Sequence, residues 1–276
     1  RHVTQEGKVR LVAYDDKKWP KSPIFQCFAG WGPGTYPTAV ALGNVDDDEE
    51  LEIAVVRWAK HDQQPRLVLL DMPQSGEPED DCEELAVGLH WGPNRNPTDV
   101  AFGDVDGDGR DEIGVSRKYK GAGPGDPRYV VLKYNEQTKK LDTLKEGYHG
   151  WGEHAWATSI AFGDVDGDGL DEIGITRHAQ VHDRWFIVDD AENDFKEMMT
   201  GGGYGTGTKW GIAKRYATAI AFGNIDDDDA DEFGVVRKAM QNETRVAIYD
   251  PVLIDNEWNY TKLFDDFKWG EDHDPT

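Results

Sequence analysis

Four acidic segments, spaced 60 residues apart, contain the side chains best suited to chemistry in this chain. In the second and third segments, carboxylates stand at positions 1, 3, 5 and 9, and glycines stand at positions 4 and 6. Such a tight loop surrounds one hard cation with oxygen ligands, including the backbone carbonyl of position 7, and glycine permits the positive φ angles that the wrapping needs. Without a cation the clustered carboxylates would repel one another, so a bound cation should stabilise the fold. The pattern predicts Ca²⁺ sites with the ligands Asp104, Asp106, Asp108, Arg110, Glu112, Asp164, Asp166, Asp168, Leu170 and Glu172.

The first and fourth segments are variants of the same loop. Their first ligand is an asparagine, and acidic residues replace both glycines, which predicts weaker binding there. Position 8 competes with position 9 as the last ligand, but Leu51 at position 8 of the first loop favours position 9. The chain is therefore expected to hold up to four calcium ions, the alternative being that the segments are solvated acidic turns. The predicted ligands of these two loops are Asn44, Asp46, Asp48, Glu50, Glu52, Asn224, Asp226, Asp228, Ala230 and Glu232.

The repeated unit that carries each loop has the pattern of a small β-sheet. Val100 and Phe102 alternate before the second loop, and Ile113 and Val115 alternate after it, which predicts a hairpin. A third apolar run, residues 129–134 in this repeat, and a weaker fourth run complete the unit. Four strands in 60 residues are typical of a propeller blade, and helical periodicity was not found. We therefore predict an all-β fold, a β-propeller of four-stranded blades.

The repeats divide the chain, which we interpret as a single β-propeller domain of residues 1–276, into five parts. Residues 1–12 match the segment that begins at Arg177, which makes residues 1–36 an outer half-blade. Five blades, one of them incomplete, fit this count best. Six to eight blades are expected if the chain is a fragment of a larger propeller. The repeats that follow the half-blade are 37–96, 97–156, 157–215 and 216–274.

The segment Ala-Phe-Gly-Asp-Val-Asp-Gly-Asp-Gly, followed after one residue by Asp-Glu-Ile-Gly, occurs at 101–114 and 161–174. It resembles the FG-GAP/VCBS repeat group, the propellers of integrin α-subunits and of many secreted microbial and fungal proteins. The resemblance extends through all four repeats and implies a Ca²⁺-binding propeller. The group includes lectins, adhesion modules and accessory domains of enzymes, so the resemblance does not specify a ligand. The Gly-Ala-Pro that follows the loop in integrins is absent, and Gly-Val-Ser-Arg117 stands there in the second repeat.

A Trp-Gly pair and an arginine also recur once per repeat, and both residue types suit sugar binding. An indole face can stack on a sugar ring, and a guanidinium can donate to its hydroxyls. The alternative is that the tryptophans pack between blades and the arginines pair with loop carboxylates. Further aromatic residues at Tyr36, Trp156 and Tyr216 suggest an exposed rim, which Asn96 interrupts. The candidate ligand-binding residues are Trp31, Trp91, Trp151, Trp210, Arg57, Arg117, Arg177 and Arg237, with a fifth Trp-Gly pair at Trp269.

Composition and missing motifs narrow the class of protein. A net charge of −24 argues against nucleic-acid binding, and no apolar run is long enough for insertion into a membrane. The sequence lacks the motifs of zinc proteases, serine hydrolases and phosphate-binding loops, which favours a binding protein over an enzyme. Two cysteines, Cys27 and Cys82, allow one disulfide, a pairing that the sequence leaves open. Glycosylation sequons at Asn242 and Asn259 are compatible with secretion.

We therefore expect a secreted, Ca²⁺-binding recognition module that binds carbohydrate as a lectin does. The first alternative is an adhesion or scaffold module that binds an extracellular protein through the non-repeating loops 73–83 and 120–127. The second is a fragment or accessory domain of a Ca²⁺-dependent polysaccharide-degrading enzyme, because the acidic loops would mask a catalytic pair of carboxylates.

Overall fold

The computed structural model consists of β-strands joined by turns. It describes residues 9–14, 23–29, 35–48, 50–59, 65–72, 82–91, 95–119, 127–147, 155–178, 184–202, 216–226, 228–238 and 246–266. Within these ranges there is no helix, so the expectation of an all-β fold is confirmed. The same part of the chain accordingly offers no helix that could cross a membrane.

The strands form one two-stranded sheet and four antiparallel sheets of four strands, one for each repeat. The two-stranded sheet contains β1 (Val9–Tyr14) and β2 (Pro23–Ala29). The first four-stranded sheet contains β3 (Thr35–Gly43), β4 (Glu52–Ala59), β5 (Leu67–Leu70) and β6 (Glu84–Gly88). The second contains β7 (Arg95–Gly103), β8 (Glu112–Tyr119), β9 (Tyr129–Asn135) and β10 (Lys140–Gly147). The third contains β11 (Trp156–Gly163), β12 (Glu172–His178), β13 (Trp185–Val188) and β14 (Glu197–Gly201). The fourth contains β15 (Tyr216–Gly223), β16 (Glu232–Lys238), β17 (Val246–Ile254) and β18 (Glu257–Asp266).

The four sheets pack face to face in chain order. Because side chains alternate along a strand, β9 contributes Val130 and Leu132 to the cluster shared with the first sheet and Val131 to the cluster shared with the third. One apolar cluster fills each of the three interfaces between successive four-stranded sheets. The first strands β3, β7, β11 and β15 contact one another in sequence. The hairpins that carry the acidic loops therefore lie side by side.

A β-bulge occurs in the first strand of every four-stranded sheet, at the repeated threonine. The hydroxyl of Thr98 donates to the carbonyl of Ala157 in the next sheet at 3.0 Å, and Thr158 donates to the carbonyl of Ala217 at 2.8 Å. The bulged threonine thus links neighbouring first strands at Thr98 and Thr158, whereas Thr38 and Thr218 donate to the carbonyls of Val56 and Val236 in the second strands of their own sheets. The register shifts lie at Thr38, Thr98, Thr158 and Thr218.

The repeated Ala-Phe-Gly is a packing motif between sheets. A Cβ added to Gly103 would lie 2.4 Å from Phe162 Cβ, and one added to Gly114 would lie 2.5 Å from the far end of the same ring. Phe162 therefore covers two glycines of the preceding sheet, at a distance that only glycine permits. Phe222 packs in the same way on the third sheet.

The two-stranded sheet contacts the first four-stranded sheet. Leu11 of β1 packs against a buried cluster on that sheet, and Cys82 borders the same cluster. Cys82 is disulfide-bonded, no described cysteine is free, and the sequence contains one other cysteine, Cys27 in β2. The single bridge that the sequence allows is therefore formed. The buried cluster consists of Ile53, Val55, Val68 and Leu70.

Candidate metal centres and binding surface

The four acidic loops join the first and second strands of the four-stranded sheets. The ninth loop residue is already the first residue of the second strand, where it pairs with the glycine before the loop, as Glu112 pairs with Gly103. This closure brings the odd-numbered carboxylates together. In each loop three carboxylate oxygens lie within 4.8 Å of one another. The groups are Asp46, Asp48 and Glu52; Asp104, Asp106 and Asp108; Asp164, Asp166 and Glu172; and Asp226, Asp228 and Glu232.

In the second and third loops, glycine lets the backbone wrap around the first aspartate. The φ angles of Gly107 and Gly109 are +71° and +84°, in the left-handed region that the sequence analysis anticipated. Their N–H groups donate to the two carboxylate oxygens of Asp104, at 2.7 and 2.9 Å. The third loop repeats both features.

In the first and fourth loops, an asparagine side chain holds the loop instead. The amide of Asn44 donates to the carbonyl of Asp48 at 3.2 Å, and the amide of Asn224 donates to the carbonyl of Asp228 at 2.5 Å. An aspartate at position 1 could not donate this bond. The loss of the glycines and the change to asparagine are therefore two parts of one alternative loop conformation.

The residue at position 7 was expected to offer its carbonyl to a metal. In all four loops its N–H donates to the carboxylate at position 5, so that the turn before this residue is held in place. The distance from the Arg110 nitrogen to Asp108 Oδ1 is 3.1 Å, and from the Leu170 nitrogen to Asp168 Oδ1 it is 2.9 Å. Glu50 and Ala230 make the corresponding bonds at 2.9 Å.

The glutamate at position 9 is the most buried carboxylate of each loop. Glu52, Glu112 and Glu172 have no exposed surface, and Glu232 is 2% exposed. One oxygen accepts the N–H of position 2, as from Val165 to Glu172 Oε2 at 2.6 Å. The other oxygen, Oε1, is buried without a hydrogen bond in both Glu52 and Glu172. A buried carboxylate oxygen without a partner is costly, and a bound cation would supply the missing interaction.

The electrostatics of these glutamates are also consistent with a cation site. Burial raises the pKa of Glu172 to about 10, and the charges of Asp166 and Asp189 contribute to the rise. Burial likewise raises the pKa of Glu52 to about 7, helped by the neighbouring Asp46 and Asp48. Without a cation, these groups hold protons at a pH at which ordinary carboxyls are ionised. A divalent cation would reverse the effect, since it favours the ionised form.

The aspartate at position 8 serves the neighbouring loop. Asp111 Oδ2 accepts the N–H of Asn44 at 2.8 Å, and the Asp111 N–H donates to the Asn44 carbonyl at 2.6 Å. Asp171 makes the same two bonds with Asp104, at 3.0 and 2.9 Å. Position 8 thus joins successive sheets, which supports position 9 as the last metal ligand. Leu51, at position 8 of the first loop, is 40% exposed.

A residue in the third strand or directly after it, called here the third-strand residue, also borders each loop, and the sequence analysis missed it. In each sheet this residue comes directly after the one that pairs with the second strand at Ile53, Ile113, Ile173 or Phe233. Burial raises the pKa of Asp71, and the charges of Asp48 and Asp46 raise it further. An acidic residue after the third apolar run of three repeats is the signal that could have found it. The four residues are Asp71, Lys133, Asp189 and Asp250.

The third sheet supplies a further carboxylate next to Asp189. Asp190 is fully buried, and one of its oxygens lies within 4.8 Å of carboxylate oxygens of Asp168 and Glu172. Its Oδ2 atom is buried without a hydrogen bond. The third loop therefore has two buried carboxylate oxygens without partners, on Glu172 and Asp190.

In the second sheet the third-strand residue is a lysine. Lys133 Nζ lies 2.5 Å from Asp106 Oδ2, 2.9 Å from Asp108 Oδ2 and 3.1 Å from Glu112 Oε1. Partial burial lowers the pKa of Lys133, but its hydrogen bonds to these three carboxylates outweigh this and raise the pKa above the usual value. The ammonium group is therefore charged and pairs with the carboxylates of positions 3, 5 and 9 of this loop, offsetting one of their negative charges.

The repeated arginines lie inside the sheets. Arg57, Arg117, Arg177 and Arg237 are between 2% and 4% exposed. The Nε of Arg57 donates to the carbonyl of Pro65 at 2.6 Å, within the first sheet. These placements favour packing over ligand binding, because a buried guanidinium presents no surface to a sugar.

Among the repeated tryptophans, only Trp91 belongs to the described residues. It is half-buried, packs against the cluster between the first two sheets, and has the Arg117 guanidinium 4.5 Å from its ring centre. Its placement also favours packing. Trp31, Trp151, Trp210 and Trp269 lie outside the described residues.

A row of aromatic rings lies at the opposite end of the first strands from the acidic loops. Tyr36 stacks on Trp58 with ring centres 5.0 Å apart, and Trp156 stacks on His178 at 4.0 Å with an angle of 2°. Tyr216 contacts His178 at 4.6 Å. Tyr36 is 41% exposed and the other four rings are half-buried. We call Tyr36, Trp58, Trp156, His178 and Tyr216 the aromatic row.

The second sheet contributes polar side chains where the aromatic row is interrupted. Asn96 pairs with Lys118 across the strands, and its side-chain oxygen accepts a hydrogen bond from Arg66 at 3.2 Å. Lys118 Nζ lies 4.5 Å from the centre of the Trp156 ring. Where Asn96 interrupts the aromatic row, the second sheet therefore places the amino group of Lys118 next to the row.

Other sequence-based candidates fall partly beyond these ranges. In the suggested protein-binding loops, residues 73–81 and 120–126 lie outside the described residues, as does the sequon asparagine Asn242. Asn259 is exposed on β18.

Comparison with known proteins gives no family. No family model matches the chain, and no curated protein matches it. Among solved structures, the chain is similar to the crystal structure of rhamnogalacturonan lyase YesW, with 12% sequence identity and a TM-score of 0.45. The similarity covers 86% of this chain and 52% of the lyase chain, so this chain spans about half the length of that protein.

Proposed function

We propose that this chain is a calcium-stabilised β-propeller that binds carbohydrate through the aromatic row, as a secreted recognition module. The aromatic row carries the proposal. Flat, partly exposed rings are the surfaces on which sugar rings pack, and the Lys118 ammonium, which lies over the Trp156 ring, can donate to sugar hydroxyls.

The arrangement of the sheets supports the propeller. Successive antiparallel sheets of four strands, packed face to face with their first strands adjacent, are what successive blades require. The covering of Gly103 by Phe162 recurs at all three interfaces, and the hydroxyl link of Thr98 recurs at Thr158. Such recurring contacts are the expected basis of a repeated blade.

The donor atoms of the loops support calcium. They are carboxylate, amide and carbonyl oxygens, which suit hard cations better than transition metals. The side chains of positions 1, 3, 5 and 9 would hold the ion, joined by Asp71, Asp189 or Asp250 in the first, third and fourth loops. The buried Oε1 atoms of Glu52 and Glu172 are the clearest places for such a bond.

The metal loops and the aromatic row lie at opposite ends of the hairpins. From Trp156 to Gly163, β11 extends by about 23 Å, from its residue count and the usual rise per residue. Calcium in the loops would therefore not touch a sugar on Trp156. Its contribution would be to stabilise the hairpins that carry the rings.

Two features support a location outside the cell. Disulfides persist in oxidising compartments, and Cys82 is disulfide-bonded. The sequon residue Asn259 is exposed and therefore accessible to glycosylation.

The proposal is tested by screening the calcium-loaded protein against a glycan array and measuring the affinity for the best glycan. We expect specific glycans to bind and Trp156→Ala to weaken binding by about two- to tenfold, since one stacked ring supplies about 0.5–1.5 kcal/mol. Phe264→Ala, which removes a 40% exposed ring from the outer strand β18, is the matched control and should leave the affinity unchanged.

The outcomes separate the hypotheses. An array without binders, or equal loss of affinity in both variants, would contradict carbohydrate binding by the aromatic row. Cleavage products in a polysaccharide digest would instead support an enzyme, and a stoichiometric protein partner would support an adhesion module.

A further inference from the structure

The second acidic loop combines the strongest sequence match to a calcium loop with the one lysine among the third-strand residues. Its carboxylates at positions 3, 5 and 9 are Asp106, Asp108 and Glu112, and all three lie within 3.1 Å of Lys133 Nζ. The same three positions converge in the first and fourth loops, where their oxygens lie within 4.8 Å of one another. The ammonium group therefore stands where these carboxylates would meet a metal ion.

Strand register makes Lys133 equivalent to three aspartates. Leu70, Leu132, Val188 and Tyr249 pair with corresponding residues of the second strands, and the next residue is Asp71, Lys133, Asp189 or Asp250. The change from aspartate to lysine alters the charge next to the loop by two units. It replaces an additional anionic ligand with a cation.

We propose that Lys133 takes the place of calcium in the second loop, so that the chain binds calcium at the first, third and fourth loops only. The proposal rests on the proposed calcium binding and specifies which loops provide it. The lysine supplies the second loop with a permanent positive charge, whereas the other three loops depend on an added cation.

The loops differ in the charge that faces their buried carboxylate oxygens, since Asp106 Oδ1 and Glu112 Oε1 of the second loop also lack a hydrogen bond and the described part of the fourth loop has no such oxygen. Glu52 Oε1 in the first loop and Glu172 Oε1 and Asp190 Oδ2 in the third are buried without a hydrogen bond. The corresponding Glu112 Oε1 lies 3.1 Å from Lys133 Nζ, at ion-pair distance. The neutral Asn44 and Asn224 are also compensated, because Asp71 and Asp250 restore a fourth acidic group to their loops.

The ranking of the loops by sequence is therefore reversed for one of them. Position by position, the second loop matches the calcium pattern fully and the first and fourth match it only in part. The match within the loop does not determine calcium binding, because Lys133, which lies outside the loop, pairs with the carboxylates that would bind the ion.

The test counts bound calcium by titration calorimetry and by metal analysis of the dialysed full chain at saturating calcium. We expect three ions for the wild type and four for Lys133→Asp, which restores the acidic residue found in the other sheets. Lys140→Asp, at an exposed position of β10 in the same sheet, is the control for charge and should bind three.

The reciprocal change is Asp71→Lys, which should reduce the count to two and make the first loop independent of calcium. In chelator this variant should melt at a higher temperature than the wild type, because the ammonium replaces the ion in the first loop while the third and fourth loops still lose theirs. It therefore distinguishes loss of a site from loss of folding.

Four ions in the wild type, or three in Lys133→Asp, would overturn the assignment of the second loop while leaving calcium binding intact. No bound ion in either protein would instead contradict the proposed calcium function itself. The two failures are thus distinguishable in one experiment.

Discussion

The glutamate at position 9 connects burial, charge and metal binding in one side chain. Glu172 is fully buried, uses one oxygen to hold the Val165 N–H, and has no hydrogen bond to the other. In the absence of metal this arrangement is unfavourable, since a buried charge needs a partner. The same oxygen becomes a ligand when a cation arrives.

Glu172→Gln should therefore act in opposite directions with and without calcium. In chelator the melting temperature should stay the same or rise, because a neutral amide replaces a buried acid. Calcium should then bind the third loop at least about tenfold more weakly, because an anionic ligand is lost. Calorimetric melts with and without calcium measure both effects, and Glu192→Gln, at an exposed turn of the same sheet, is the control. A drop in melting temperature in chelator only would contradict this account.

The metal-free protein should lose stability as the pH rises. Burial raises the pKa of Glu52 to about 7 and that of Glu172 to about 10, from an ordinary value of 4.5, so the folded state binds protons that the unfolded state has released. This contribution to stability is fully present below the unfolded pKa and is lost as the pH rises through the folded values. Between pH 5 and 8 the melting temperature of metal-depleted protein should fall.

Calcium should weaken or reverse that pH dependence, because metal binding needs the ionised carboxylates and releases their protons. The comparison needs melts of one preparation over the same pH range with and without calcium. A melting temperature that rises with pH in both series would contradict the assigned cause.

Side chains within one loop were predictable from the sequence, whereas the partner from the third strand was not. Positions 1, 3, 5 and 9 lie within one short segment, so their convergence follows from the turn. Asp71 and Lys133 reach the loops only through the pairing of the third strand with the second, and that register is not visible in a list of loop residues. The fourfold calcium prediction missed Lys133 for this reason.

The four loops adopt two backbone conformations, one in the second and third loops and the other in the first and fourth. In one, glycines with positive φ angles wrap the first aspartate, and in the other an asparagine amide holds a loop without those glycines. The sequence analysis predicted the first and treated the second as a weakened copy. Both keep the carboxylates of positions 3, 5 and 9 together in the structure.

Gly169→Ala tests whether the third loop needs glycine for its positive φ angle, because the added methyl group meets no neighbouring atom. Gly169 has a φ angle of +94°, and an added Cβ would have no atom within 4 Å, so the cost is conformational and should be about 1–2 kcal/mol. Gly223→Ala is the matched control, since its Cβ is equally free of contacts and its φ angle is not in the left-handed region. Denaturant unfolding of the two variants measures the difference, and equal stabilities would contradict the strain argument.

Four repeated units of four strands each were expected from the sequence, and the all-β, four-stranded part of that expectation is confirmed. What the sequence did not reveal is how Ala-Phe-Gly functions. The spacing of Phe162 from Gly103 and Gly114 along the chain gives no indication that the ring covers both glycines of the neighbouring sheet. This contact depends on the distance between sheets, which no single repeat encodes.

Phe162→Ala should weaken the interface between the second and third sheets. Loss of a ring packed on two glycines should cost about 3 kcal/mol of unfolding free energy, because the glycines cannot fill the space. Phe264→Ala, on the outer strand, should change stability by less than about 0.5 kcal/mol. Chemical denaturation distinguishes them, and a loss of under about 1 kcal/mol for Phe162→Ala would contradict a shared core.

The bonds between successive loops use the backbone of position 1 and the aspartate of position 8. Asp111 makes them with Asn44, and Asp171 makes them with Asp104, so the side chain at position 1 does not matter to the link. Mutation can therefore change the charge of one loop without altering how its sheet is joined to the next. Ion binding and assembly can evolve separately in such a chain, and each duplicated repeat can acquire or lose its metal while the scaffold is inherited unchanged.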